Sequence, residues 1–157
     1  MNDSLRELYQ EVILDHGMHP RNANRPDRTN RTGSGYNPLC GDQVTVELRL
    51  EGEVVEAIGC RGKACAICTA AGSTMTEAVK GKRVDEIRRL FADYRALVTG
   101  QADAEAGGDL GKLAVFGGVA AFPMRVKCAT LPWHTLESAL AQDDEVANSE
   151  EGGDGRS

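Results

Sequence analysis

No run of apolar residues in this 157-residue chain approaches the length of a membrane span. The first residues, Met1-Asn2-Asp3-Ser4, lack the basic start and apolar stretch of a secretory signal, so a cytoplasmic protein with no membrane partner is expected. Basic residues are in deficit. Eighteen Lys and Arg stand against 24 Asp and Glu, a formal net charge of -6 with a pI near 5.1. Non-specific nucleic-acid affinity comes largely from Lys and Arg releasing counterions, and no nucleic-acid partner is expected. An even set of cysteines is also missing: the five present cannot all pair internally, and a reducing compartment disfavours structural disulfides. Metal binding or thiol chemistry is the better expectation.

What is present suits one compact domain, since 41% of the residues are hydrophobic over a length that leaves little room for a second core. The domain is expected to cover residues 1–142. The tail from Asp143 to Ser157 is acidic and nearly free of apolar residues, and reads as disordered.

Ser4 and Glu7 form a capping box, with Leu5, Leu8, Tyr9, Val12 and Ile13 at helical spacing up to about Gly17. Pro20 to Tyr36 is polar and without a sustained period, a loop with room for a short strand near its end. Val44, Val46, Leu48 and Leu50 alternate with Thr45, Glu47 and Arg49, the pattern of a half-buried strand. Glu51-Gly52-Glu53 turns the chain into Val54 to Ile58, giving an antiparallel hairpin that Arg61-Gly62-Lys63-Ala64 would end.

Cys65 to Lys80 is Ala-rich and stops at Gly81, and Val84 to Val98 places Val84, Ile87, Leu90, Phe91, Tyr94 and Leu97 on one face; both read as helices. Thr99 to Asp109 reads as a mobile linker. Trp133 to Ala141 reads as a last helix, with Pro132 either kinking it or sitting in its first turn. The fold class is α+β, a small antiparallel sheet of about three strands covered by helices.

A zinc site needs thiolates or imidazoles, usually four, held tetrahedrally. Cys40 and Asp42 flank Gly41 just before a strand, where a tight bend can aim both side chains at one ion. Cys65 begins a helix, where unpaired N–H groups and the dipole favour a thiolate. Cys65-Ala66-Ile67-Cys68 has the spacing of a redox pair, but two helices follow it where a thioredoxin-like fold would need a parallel strand. A set of Cys60, Cys65, Cys68 and Cys128 is physically open as well, although Cys60 reads best as a small buried apolar residue. His16 and His19 are expected to support the first helix and its loop, and His134 to face solvent. Met18, Met75 and Met124 read as packing residues, and Phe116-Gly117-Gly118 is too short for a phosphate loop.

Four blocks occur in a fixed order: Leu8-Tyr9 through Asp15-His16 with Pro20-Arg21-Asn22; Asn37-Pro38-x-Cys40-Gly41-Asp42; Cys65-x-Ile67; and Arg125-Val126-Lys127-Cys128-Ala129. Together they resemble the U-type iron-sulfur assembly proteins, IscU and SufU, from about Leu5 to Leu140. Two features resemble the SufU branch: the long stretch from Thr99 to Ala121, and Lys127 where IscU scaffolds carry a histidine.

The resemblance implies zinc held by Cys40, Asp42, Cys65 and Cys128, with Cys40 as the sulfur acceptor and Arg125 beside the site offsetting thiolate charge. It implies a zinc-dependent sulfurtransferase that takes persulfide sulfur from a SufS-like cysteine desulfurase and feeds a SufBCD-type scaffold. A partner histidine would replace Cys40 on the metal during docking. Cys60 and Cys68 depart from the pattern. The alternatives are a scaffold on which an iron-sulfur cluster forms, and a structural zinc adaptor, since closed four-ligand sites are usually structural.

Overall fold

The computed structural model describes residues 3–101, 108–141 and 146–148. Helix α1 (Asp3–Met18) leads through an irregular loop into strands β1 (Arg31–Asn37), β2 (Asp42–Glu51) and β3 (Val54–Lys63). Helices α2 (Ala66–Val79) and α3 (Val84–Val98) follow, then 3-10 turns over Gly108–Ala121 broken at Gly111, helix α4 (Pro123–Leu140) and strand β4 (Val146–Asn148).

The three long strands form an antiparallel meander that contains the expected hairpin of β2 and β3. β4 adds to the free edge of β1 in parallel, giving the order β3-β2-β1-β4. It lies inside the segment expected to be disordered, whose remaining residues, like most of the expected linker at 99–109, fall outside those described. The side chains of Ser4 to Tyr9, and so the expected cap, fall outside them too.

Val46 and Leu48 of β2, Val55 and Ile58 of β3, Ala70, Ala71, Met75 and Val79 of α2, and Ile87, Phe91, Tyr94 and Leu97 of α3 share one core with Trp133 and Leu136 of α4. Rings hold α3 on α4. Trp133 stacks on Phe91 at 5.4 Å and on Tyr94 at 5.1 Å, and the Tyr94 hydroxyl donates to the Ala129 carbonyl at 2.8 Å. This fixes the turn of α4 that carries Cys128.

β1 lies close under α4 because two of its inward positions, Gly33 and Gly35, are glycines. A Cβ on Gly33 would meet the Thr135 carbonyl and Ala139, and one on Gly35 would meet Thr135 Oγ1 and Leu131.

Several sequence expectations need correction. α4 begins at Pro123, ten residues before Trp133: Pro123 occupies the first turn, where its missing N–H costs nothing, and Pro132 lies inside the helix. β3 continues through Arg61-Gly62-Lys63, since Arg61 Nε donates to Glu47 Oε1 at 2.9 Å and holds the strand on β2. Glu47, placed on the outer face, is buried because the loop after α1 covers that face, and Arg25 supplies a second partner at 2.9 Å. His134 is buried against Phe91 rather than solvent-facing, because α4 packs it on α3. Met75 is core, whereas Met18 and Met124 are exposed.

The first sequence block proves to be a clamp. His16, buried in α1, holds Ser73 Oγ of α2 through Nδ1 at 2.7 Å, and the Arg21 backbone N–H donates to the same oxygen at 2.8 Å. Asn22 Nδ2 donates to Thr76 Oγ1 at 3.0 Å while the Asn22 carbonyl accepts from Cys60 N–H at 2.9 Å. The loop is thereby pinned to both α2 and β3. His19, on the exposed end of α1, closes the helix by donating its backbone N–H to the Asp15 carbonyl at 2.7 Å.

Candidate metal centre

The turn between β1 and β2 presents Cys40. Asn37 shapes it twice: its Oδ1 accepts from Leu39 N–H at 3.1 Å, and its carbonyl accepts from Gly41 N–H at 2.8 Å. Gly41 closes the turn at φ +77°, a left-handed conformation costly for a residue with a Cβ, so the glycine permits the bend that lets Cys40 and Asp42 converge. Asp42 opens β2 and is buried, while Cys40 is exposed.

Cys65 caps the N-terminus of α2, its Sγ accepting from Cys68 N–H at 3.4 Å. Its backbone N–H donates to Asp42 Oδ1 at 2.9 Å, tying α2 to β2. Cys128 comes from α4 and is buried.

The donor atoms of Cys40, Asp42 and Cys128 all lie within 4.8 Å of one another. Cys65 is outside that group, with its thiol beside that of Cys128. The neighbouring Cys128 thiol and the Cys68 N–H pull the Cys65 thiol down to about 7 against the opposing effect of burial, while Cys128 is pushed far up. Burial, with Asp42 nearby, raises Cys40 above the ordinary thiol value.

The residues fit a zinc ion. Sulfur and carboxylate donors are of the type zinc takes, and Asp42 Oδ2 is buried with no hydrogen-bond partner, a lone acceptor turned away from water.

Cys60 and Cys68 are placed differently. They line a separate cavity of about 120 Å³ with Pro20, Val44 and Thr69, and neither joins a metal-type cluster among the described residues. Burial pushes the Cys60 thiol up to about 12 and Cys68 higher still, so both stay protonated. Arg125 stands exposed in the first turn of α4, with no hydrogen bond or ion pair to the site among the described residues. Lys127 lines a groove of about 360 Å³ between α3 and α4 with Arg95 and His134.

Residues 8–129 match the family model described as the NifU-like N-terminal domain. The chain belongs to this family of iron-sulfur cluster assembly proteins. It is 35% identical to the zinc-dependent sulfurtransferase SufU of Bacillus subtilis over 143 residues, covering 91% of this chain and 96% of that one. It is also 35% identical to the iron-sulfur cluster assembly scaffold protein IscU of Streptococcus pyogenes serotype M1 over 136 residues, 87% and 84% of the two chains. A solved structure described as an iron-sulfur cluster assembly scaffold protein for the SUF system, from Fervidobacterium islandicum, superposes with a TM-score of 0.77 at 30% identity, covering 88% of this chain and 99% of that one. No described helix is long and apolar enough to cross a membrane.

Sequence reasoning passed over Asn37 as a member of this site. Its signal was its place in the second block, at the start of the turn that bears Cys40.

Proposed function

We propose that this member of the NifU-like family is a cytoplasmic zinc-dependent sulfurtransferase, with Cys40, Asp42, Cys65 and Cys128 holding the metal. The observation that carries the reading is the convergence of Cys40, Asp42 and Cys128 within 4.8 Å with Cys40 as the exposed thiol of the three. Zinc has no redox chemistry of its own and would keep its cysteine ligands as thiolates at neutral pH.

The Cys40 thiolate attacks the terminal sulfur of a persulfide on a cysteine desulfurase. A new S–S bond forms at Cys40, the S–S bond of the desulfurase breaks, and its cysteine leaves as a thiolate. The sulfur changes carrier without an added oxidant or reductant. Cys40 lies on a turn, beside the exposed Leu39, where a partner can reach it. Asp42 supports the transfer because a carboxylate is a harder and more labile ligand than a thiolate. A thiolate of a SufBCD-type assembly scaffold then takes the outer sulfur from Cys40, which leaves as a thiolate. Lys127, in place of a scaffold-type histidine, favours carrying sulfur over building a cluster.

Replacing Cys40 by Ala should abolish acceptance of ³⁵S from a cysteine desulfurase charged with labelled cysteine, while circular dichroism stays close to that of the parent chain. Full labelling of that variant overturns the proposal. A brown chromophore after anaerobic reconstitution with iron and sulfide would instead support the scaffold reading.

A further inference from the structure

Asn37 is fully buried, and its side-chain nitrogen, Nδ2, has no hydrogen-bond partner. The orientation of the amide is fixed, because its other end, Oδ1, accepts from Leu39 N–H. A buried N–H donor left alone is unusual enough to call for an acceptor.

The register indicates where that acceptor lies. The inward positions of β1 are Gly33, Gly35 and Asn37. Gly33 abuts Thr135 and Ala139, and Gly35 abuts Leu131 and Thr135, so each two-residue step along β1 moves about one turn toward the start of α4. One further step of that register leads from Gly35 toward the turn of α4 that carries Cys128. Directly opposite Asn37 on β2 is Asp42, whose Oδ2 is also buried and unpartnered. A spare donor and a spare acceptor thus sit on paired residues at the turn that bears Cys40, without bonding to each other.

We propose that Asn37 is a positioning residue of the metal centre, its carboxamide N–H donating to the Cys128 thiolate when the metal is held. The inference rests on the zinc reading above. Three thiolates and one carboxylate carry four negative charges against the two positive charges of zinc, and an N–H aimed at one sulfur offsets part of the excess. Sequence resemblance assigns that part to Arg125, which stands exposed and unbonded to the site, whereas Asn37 is fully buried and paired with Asp42 across the β1–β2 turn.

Two variants separate donation from shaping of the turn. Asn37→Asp keeps an oxygen for Leu39 N–H and loses the N–H donor; Asn37→Ala loses both. Zinc affinity by chelator competition and the thiolate-to-metal charge-transfer bands of the cobalt(II)-substituted chain are read for each. Both variants should bind zinc about 10–100-fold more weakly than the parent, with the cobalt bands displaced to lower energy. An Asn37→Asp chain that binds zinc as tightly as the parent or more tightly, with unchanged cobalt bands, overturns the role of the donor even if Asn37→Ala is impaired or fails to fold. A parent chain that holds no zinc overturns the premise as well, and that result is visible before any variant is made.

Discussion

The backbone N–H of Cys65 donates to Oδ1 of Asp42 at 2.9 Å, joining the first residue of β2 to the cap of α2, while Oδ2 of the same carboxylate is buried with nothing to bond. One side chain therefore has a structural oxygen and a spare one. Asp42→Asn retains an oxygen for Cys65 N–H and should leave metal-free stability near that of the parent while weakening zinc binding. Asp42→Ala also strands the Cys65 N–H, and should cost about 1.5–3 kcal/mol in urea unfolding with chelator present. Equal stability of the two variants would show that the bond to Cys65 contributes nothing.

The Cys65–Cys128 pair makes a prediction about reactivity. With the Cys128 thiol beside it, the exposed Cys65 thiol is held at about 7. In the metal-free chain its alkylation by iodoacetamide should rise with a midpoint near pH 7. Cys60, pushed up to about 12 by burial, should remain unmodified. Replacing Cys128 by Ala removes the neighbouring thiol and should move the Cys65 midpoint up toward the ordinary thiol value, which peptide mapping of the alkylated chain would follow.

Which parts of this site were legible in the sequence has a physical explanation. The alternation through Val44, Val46 and Leu48 and the helical face of Val84, Ile87, Phe91, Tyr94 and Leu97 depend on local periodicity, and both elements form where that periodicity places them. α4 is different. Pro123 is a favourable first-turn residue, but the passage of the helix through Pro132 depends on packing against β1 and α3, which overrides the local signal of proline. The burial of Glu47 and His134 has the same origin, since each is covered by a segment distant in sequence. Cys40 and Asp42 lie two apart and could be paired by inspection, but Cys65 and Cys128 come from different helices. Only the order of the blocks joined them to the set.

The close approach of β1 to α4 should be intolerant of even one methyl group. A Cβ on Gly35 runs into Thr135 Oγ1 and Leu131, both on the helix that carries Cys128. Gly35→Ala should destabilise the chain by about 1–3 kcal/mol as an overpacked contact. Shortening the obstacle with Thr135→Ala should recover part of that loss, although it removes the Thr135 hydroxyl bond to the Leu131 carbonyl. A double-mutant cycle by thermal unfolding that shows purely additive losses would mean that the two residues do not collide.

Acid should loosen the contact between α3 and α4 through His134. Burial, with the Arg95 charge beside it, pulls this imidazole down to about 4, while in the unfolded chain it titrates near the ordinary 6.5. Between those values the unfolded chain binds a proton that the native chain does not, so stability falls as pH drops from 6.5 toward 4, by about 1.4 kcal/mol per pH unit. From pH 7 to pH 4.5 this one residue should cost about 2–3 kcal/mol. His16 is lowered by burial too and loses stability in the same direction, so the parent chain alone does not isolate the effect. His134→Phe keeps a ring against Phe91 and removes the titration; its urea midpoint should fall less between the two pH values than that of the parent. Equal falls in both chains would mean that acid sensitivity arises elsewhere, His16 being the next residue to replace.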